Sequence, residues 1–208
     1  MWAKTWDSTA MRRPWRAAGW MVGSAPLVKP IVSANIRVRA PDHFVVGEGS
    51  IVDDYCYFST RVEVGRYSHI AAGCHVAGGA ARTFRLGDFS SLSAGVKVWC
   101  TSDDFVNDVV MIMPPGIEVK EHLITGDVTL GRCTAVGSNS VVMPDNEIPE
   151  GTAIGALSFV PPRFAFEPWT VYAGTPIRPI RARNREKVLA QVERIEAHLQ
   201  RTFVAEVS

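Results

Sequence analysis

Five histidines, His43, His69, His75, His122 and His198, are the side chains of this 208-residue sequence best suited to take and return a proton near neutral pH. Their surroundings separate them. His198 falls in a C-terminal stretch of helical pattern and His43 precedes the regular part of the chain, so both read as surface or structural residues. His122 stands in Glu121-His-Leu-Ile, at the end of a long irregular segment. His69, in Tyr67-Ser-His-Ile, and His75 each precede an aliphatic residue, Ile70 and Val76, and are expected to project outward. Two further clusters could do chemistry. One is the acidic pair Asp103 and Asp104 in Thr101-Ser-Asp-Asp-Phe; the other is Tyr172-Ala-Gly-Thr-Pro-Ile-Arg178, whose arginine offers a cation for a phosphate. Nothing resembles a phosphate-cradling P-loop, a Gly-x-Ser-x-Gly elbow or a zinc-protease helix. The four cysteines, Cys56, Cys74, Cys100 and Cys133, form no Cys-x-x-Cys pair and read as reduced, buried or turn thiols of a cytoplasmic protein. No metal is expected, because that spacing does not suit a cluster and His69 and His75 should diverge from separate sides of the fold.

The elements that must hold these residues announce themselves by a period of six. Apolar residues recur at Val46, Val52, Phe58, Val64, Ile70 and Val76, then at Leu86, Leu92 and Val98, then at Ile124, Leu130, Val136, Val142, Ile148, Ile154 and Val160. A helix buries every third or fourth residue and a pleated strand every second, so a strict six suits a chain that turns a corner at each repeat. Three such hexads close a triangular coil with the large residue on its axis. The residue that follows is often small, as at Gly47, Gly65, Gly87, Gly131, Gly137 and Gly155. An all-β sandwich would instead space its turns irregularly, at roughly 8–12 residues. The expected fold is therefore an all-β solenoid of hexapeptide repeats.

The breaks in phase mark what leaves the solenoid. Ten residues separate Val76 from Leu86, so a short bulge is expected within Ala77 to Arg85, and twenty-six separate Val98 from Ile124. The latter leaves an insertion loop over 101–123, carrying both acidic and apolar residues, and long loops on repeat folds gather on a binding face. After Val160 the repeat decays. From Asn184 the period turns helical, with Val188, Leu189, Val192, Ile195, Leu199 and Phe203 on one face, a helix expected to pack across the solenoid end. Residues 1–30 form a tryptophan-rich segment (Trp2, Trp6, Trp15, Trp20) read as a cap, residues 31–181 the solenoid, and residues 182–208 the terminal helix. With 22 basic against 21 acidic residues and 47% hydrophobic content, the chain offers no field for nucleic acid and no membrane span, so a small molecule or another copy of itself is the expected partner.

The hexads and the Gly174-Thr-Pro-Ile-Arg178 element resemble those of the hexapeptide-repeat acyltransferases. That resemblance implies a left-handed parallel β-helix, a homotrimer and acetyl-coenzyme A as acyl donor. It places Ser138, Ala156, Gly174 and Thr175 along the pantetheine arm and Arg178 at the 3′-phosphate, although Ile177 stands where alanine is usual. The galactoside, maltose and antibiotic acetyltransferases carry a catalytic histidine where Asp103 stands here. The Ser-Asp-Asp-aromatic loop and Gly155-Ala-Leu-Ser158 resemble sugar O-acetyltransferases of surface-polysaccharide clusters, in which a histidine occupies the place of His69; a similar Phe-Ser-His-Val occurs in sugar-nucleotide N-acetyltransferases. The implied catalytic residues are His69 as general base and Asp103, which with Asp104 would orient it or grip the sugar, and Asp104, Trp99 and His75 become candidate acceptor contacts. The resemblance to the O-acetyltransferases, and the lack of the added N-terminal α/β domain of many sugar-nucleotide enzymes, favour a sugar hydroxyl as acceptor. Transfer to the amine of a nucleotide-linked sugar and a non-catalytic scaffold are the alternatives.

Overall fold

Each apolar residue of the hexad points to the axis because the chain bends after it, and the bend has a fixed backbone signature. Three positions beyond the axial residue the backbone turns left-handed, at Gly49, Tyr55, Tyr67, Gly73, Phe89, Gly95, Cys133, Asn139, Asp145, Gly151, Leu157, Arg163 and Trp169. The computed structural model describes residues 28–106 and 123–207. The tryptophan-rich segment and His122 lie outside the described residues. Within them the chain forms a left-handed β-solenoid of about six turns with a single C-terminal helix.

Three parallel sheets make the walls. The first face stacks Ile31–Val32, Ile51–Val52, His69–Ile70, Ser91–Leu92, Ala135–Val136, Ala153–Ile154 and Thr170–Ala173. The second stacks Arg37–Val38, Tyr57–Phe58, His75–Ala77, Lys97–Trp99, Val141–Val142 and Phe159–Val160, and the third stacks Phe44–Val46, Arg61–Val64, Thr83–Leu86, Val128–Leu130 and Asn146–Ile148. Fifteen of the sixteen hexad residues are buried along the axis. The exception is Ile124, which the period enrols but the fold does not. It sits in an antiparallel hairpin, opposite Ser102, formed by Thr101–Asp103 and Leu123–Thr125. Leu130, opposite Leu86, resumes the core.

Coil stacking rests on two columns. Glycine follows the axial residue where backbones meet most closely: a Cβ on Gly87 would stand 2.6 Å from the carbonyl carbon of Gly131, and one on Gly137 would stand 2.3 Å from the Ala156 nitrogen. Buried serines stitch successive coils. Ser68 Oγ donates to the Gly87 carbonyl at 2.8 Å and accepts from the Ser90 amide at 3.1 Å, and Ser90 repeats this with Gly131 and Thr134. At the next corner Cys56 and Cys74 take that place, donating to the carbonyls of Ala71 and Ser93. All four cysteines are free and buried.

The repeat does not decay where the sequence loses it. Phe166 packs against the core and Tyr172 is buried in it, edge to face with Phe164 and Phe166. Aromatic rings fill the tapering end in place of aliphatic hexads. The chain then reverses, Arg178–Ala182 pairing antiparallel with Thr170–Ala173. Asn184 caps the helix Arg185–Val207 by accepting from the Lys187 amide. The helix lies along a corner of the solenoid rather than across its end. Arg185 stands over the Trp169 ring, and Glu196, three turns on, reaches Arg132 two coils back at 3.7 Å. Val192 is buried there and Ile195 is not. Among the described residues no helix is long and apolar enough to cross a membrane.

Candidate active site

Outward positions on the first face stack in register as Ile51, His69, Ser91, Ala135, Ala153 and Val171. His69 Nε2 lies 2.8 Å from Asp53 Oδ2, on the preceding coil, with the two side chains 46% and 41% exposed. A carboxylate accepts from an imidazole N–H, which fixes the ring and leaves Nδ1 as the basic nitrogen. Asp53, not Asp103 or Asp104, is thus the group that orients His69. The sequence held the signal. A coil of three hexads is 18 residues, so Ile51 stands opposite His69, and Asp53 comes directly after the Ile51–Val52 strand.

Past this pair, the corner between the first and second faces is lined by small residues, coil after coil: Ala71-Ala-Gly73, Ser93-Ala-Gly95, Gly137-Ser-Asn139, Gly155-Ala-Leu157 and Ala173-Gly-Thr175. The backbones stack here, Asn139 N donating to Ala94 O and Leu157 N to Ser138 O. The amides of Ala94, Ser138 and Ala156 donate to no carbonyl among the described residues. They are therefore donors that a ligand's carbonyl groups can use. Thr175 Oγ1 bonds the Leu157 carbonyl, and Arg178, exposed and opposite Ala173, stands at the far end of the strip. Four coil steps separate His69 from Val171 in register, about 19 Å at the usual spacing of neighbouring strands. Ser138, Ala156, Gly174, Thr175 and Arg178 are thereby brought to one corner.

The expected acceptor residues gather elsewhere. His75 is on the second face between Tyr57 and Lys97, its ring 6.0 Å from that of Tyr57, and Trp99 follows on the Lys97 strand. The Arg39 guanidinium donates to the Tyr57 hydroxyl and, with Arg37, pulls that phenol below its ordinary value. Asp103 pairs with Leu123 in the hairpin that leaves the second face. Asp104 is buried, its Oδ1 accepting from the Val106 amide. A recess of about 350 Å³ on the third face, lined by Asp127, Thr129, Asp145, Asn146, Glu147 and Arg163, is remote in the fold from His69 and its carboxylates repel an anionic donor. Among the described residues no three His, Cys, Asp or Glu side chains are grouped to hold a metal ion.

No family model matches the sequence. A dTDP-4-amino-4,6-dideoxy-D-glucose acyltransferase of Escherichia coli is 30% identical over 148 residues, which are 70% of this chain and 74% of that protein. The chain belongs to the hexapeptide-repeat sugar acyltransferases. The structure of AntD, an N-acyltransferase from Bacillus cereus in complex with dTDP and 3-hydroxybutyryl-CoA, matches this acyltransferase with 31% identity and a TM-score of 0.71, over 81% of this chain and 88% of the other. Other AntD structures carry substitutions at a serine, one of them with dTDP-4-amino-4,6-dideoxyglucose and coenzyme A, or at an aspartate, with dTDP and coenzyme A. A maltose O-acetyltransferase from Clostridium difficile shares the fold, with 18% identity and a TM-score of 0.51 over 76% of this chain and 68% of its own. What sequence reasoning missed in the acyltransferase is Asp53 beside His69 and the Arg39–Tyr57 contact beside His75, both products of coil-to-coil stacking.

Proposed function

We propose that this acyltransferase moves an acetyl group from acetyl-coenzyme A to the amine of a nucleotide-linked amino sugar. The observation that carries transfer chemistry is the His69–Asp53 pair at one end of a small-residue corner whose other end holds Arg178. The donor's pantetheine arm lies along that corner, its amides meeting the backbone of Ser138 and Ala156, and Arg178 takes the 3′-phosphate. His69 accepts the proton that the amine loses as the carbon–nitrogen bond forms, and returns it to the departing thiolate. An outward corner amide steadies the oxyanion formed between those steps. No covalent acyl-enzyme is needed.

The choice of amine over hydroxyl rests on the relatives. Both at about 30% identity are described by a dTDP-linked 4-amino sugar, whereas the O-acetyltransferase shares only the fold. The match with AntD, an N-acyltransferase, covers 88% of that chain. The serine and the aspartate substituted in AntD are ten positions apart. In this sequence a serine is followed ten residues later by an aspartate once, at Ser93 and Asp103. That spacing supports Asp103 as a site residue, delivered from the hairpin. The working assembly is proposed, on the family resemblance alone, to be a homotrimer in the cytoplasm. Thiol release from acetyl-coenzyme A tests the proposal: turnover is expected with dTDP-4-amino-4,6-dideoxyglucose, and turnover confined to hydroxyl acceptors overturns it.

A further inference from the structure

The hexad loses phase twice, and both interruptions leave the solenoid at one corner. On one coil the chain passes from the second-face strand His75–Ala77 to the third-face strand Thr83–Leu86 through the short bulge after Val76. On the next coil it passes from Lys97–Trp99 to Val128–Leu130 through the hairpin that carries Asp103. The bulge therefore lies against the root of the hairpin and touches both of its strands. Thr101 Oγ1 donates to the Gly78 carbonyl at 3.0 Å, and the Arg82 guanidinium donates to Thr125 Oγ1 at 2.9 Å. Thr101 and Thr125 are partners in the ladder, so the two bonds grip one rung from either side. The backbone adds Cys100 N to Ala77 O at 2.6 Å and Gly126 N to Cys100 O at 3.0 Å. Gly78 permits this approach, since a Cβ there would stand 2.5 Å from that of Cys100. The preceding coil anchors the bulge in turn: Arg61 Nε donates to the Ala80 carbonyl at 2.8 Å, and the Thr60 hydroxyl donates to the carbonyl of Arg82.

A two-stranded hairpin is marginally stable in water by itself, so what holds its root decides where its strands point. Arg82 is half-buried and makes no other side-chain hydrogen bond or ion pair among the described residues, so the hairpin is what its guanidinium serves. Resting on the proposed part of Asp103 in acyl transfer, we propose that Arg82 is a positioning residue: through Thr125 it fixes the rung from which the hairpin projects, and thereby sets where Asp103 meets the acceptor. Asp103 is two residues beyond Thr101 on the same strand, so the two share a face of the hairpin, about 7 Å apart along it. A tilt at the root is carried to the carboxylate over that distance, and a displacement of about 1 Å at a reacting group costs up to about a hundredfold in rate. The bulge that interrupts the repeat after Val76 is thus the support of the larger interruption on the next coil.

Hydrogen exchange and steady-state kinetics of the full chain test this together. In Arg82→Met, which keeps the stem and removes the donor, the amides of 101–103 and 123–125 are expected to exchange at least about tenfold faster while those of the solenoid strands stay as they were, which reports an intact fold. With acetyl-coenzyme A and dTDP-4-amino-4,6-dideoxyglucose, kcat should fall about tenfold with the KM for donor unchanged, and Arg82→Lys should recover to within about threefold of the parent. Arg82→Met in an Asp103→Ala background should be no slower than Asp103→Ala alone. Unchanged exchange in the hairpin, a loosened hairpin with unchanged kcat, or losses that add to those of Asp103→Ala would each overturn the assignment. A loosened hairpin in a protein that acylates only hydroxyl acceptors, with kcat on those acceptors reduced, upholds the support and overturns the proposed amine transfer instead.

Discussion

At the scale of single residues, the central contact is the one between His69 and Asp53. Replacing His69 by Ala removes the group that takes the proton, and kcat is expected to fall at least about a hundredfold. Asp53→Asn keeps the size of the side chain and removes its charge, so the loss should be smaller and should fall on kcat rather than on the KM for donor. Because Asp53 acts through His69, the double variant should be no slower than His69→Ala alone; steady-state rates of the four proteins decide it. Additive losses would show that Asp53 acts by itself. His69 was legible in the sequence because its neighbour Ile70 fixed it as outward. Its partner was harder to see, since the two are 16 residues apart and become neighbours only when 18 residues close one coil. The Asp103 and Asp104 carboxylates looked nearer in role because their loop breaks the repeat, yet Asp104 turns inward to its own loop.

At the scale of elements, stacked glycines and buried hydroxyls govern the coil. Gly87→Ala would force a methyl within 2.6 Å of the next backbone, so a loss of about 1–3 kcal/mol is expected from denaturant unfolding. Ser68→Ala removes the acceptor of the buried Ser90 amide and a donor to Gly87, and should destabilise by about 1–3 kcal/mol. Burial pushes the Cys100 thiol up to about 12 and raises that of Cys133. Cys100 and Cys133 should therefore resist a disulfide reagent at pH 8 until the protein unfolds, when all four cysteines react. The hexads were legible because every axial position demands an apolar residue. Two elements escaped the period: Ile124 matches it by coincidence in a hairpin, and the closing coil hides behind Phe166 and Tyr172, whose bulk replaces the aliphatic pattern. The helix was legible as a helix. Its seat along the corner was not, because Trp169 and Arg132 become neighbours only through stacking.

At the scale of the molecule, a solenoid separates tasks by face. The proposed donor site runs along the corner strip between the first and second faces, and His69 stands on the first face beside that corner. Arg178→Ala should raise the KM for acetyl-coenzyme A about tenfold yet leave that for the dephospho form, which lacks the 3′-phosphate, unchanged. The choice between amine and hydroxyl was not written in any residue, since one base can serve either nucleophile. The measurement that tests it most directly is the bond made. After incubation with acetyl-coenzyme A and dTDP-4-amino-4,6-dideoxyglucose, the product should be a mono-acetylated nucleotide sugar whose acetyl group survives mild alkali, as an amide does. An alkali-labile ester, or no acetylated product from this acceptor, would contradict the account.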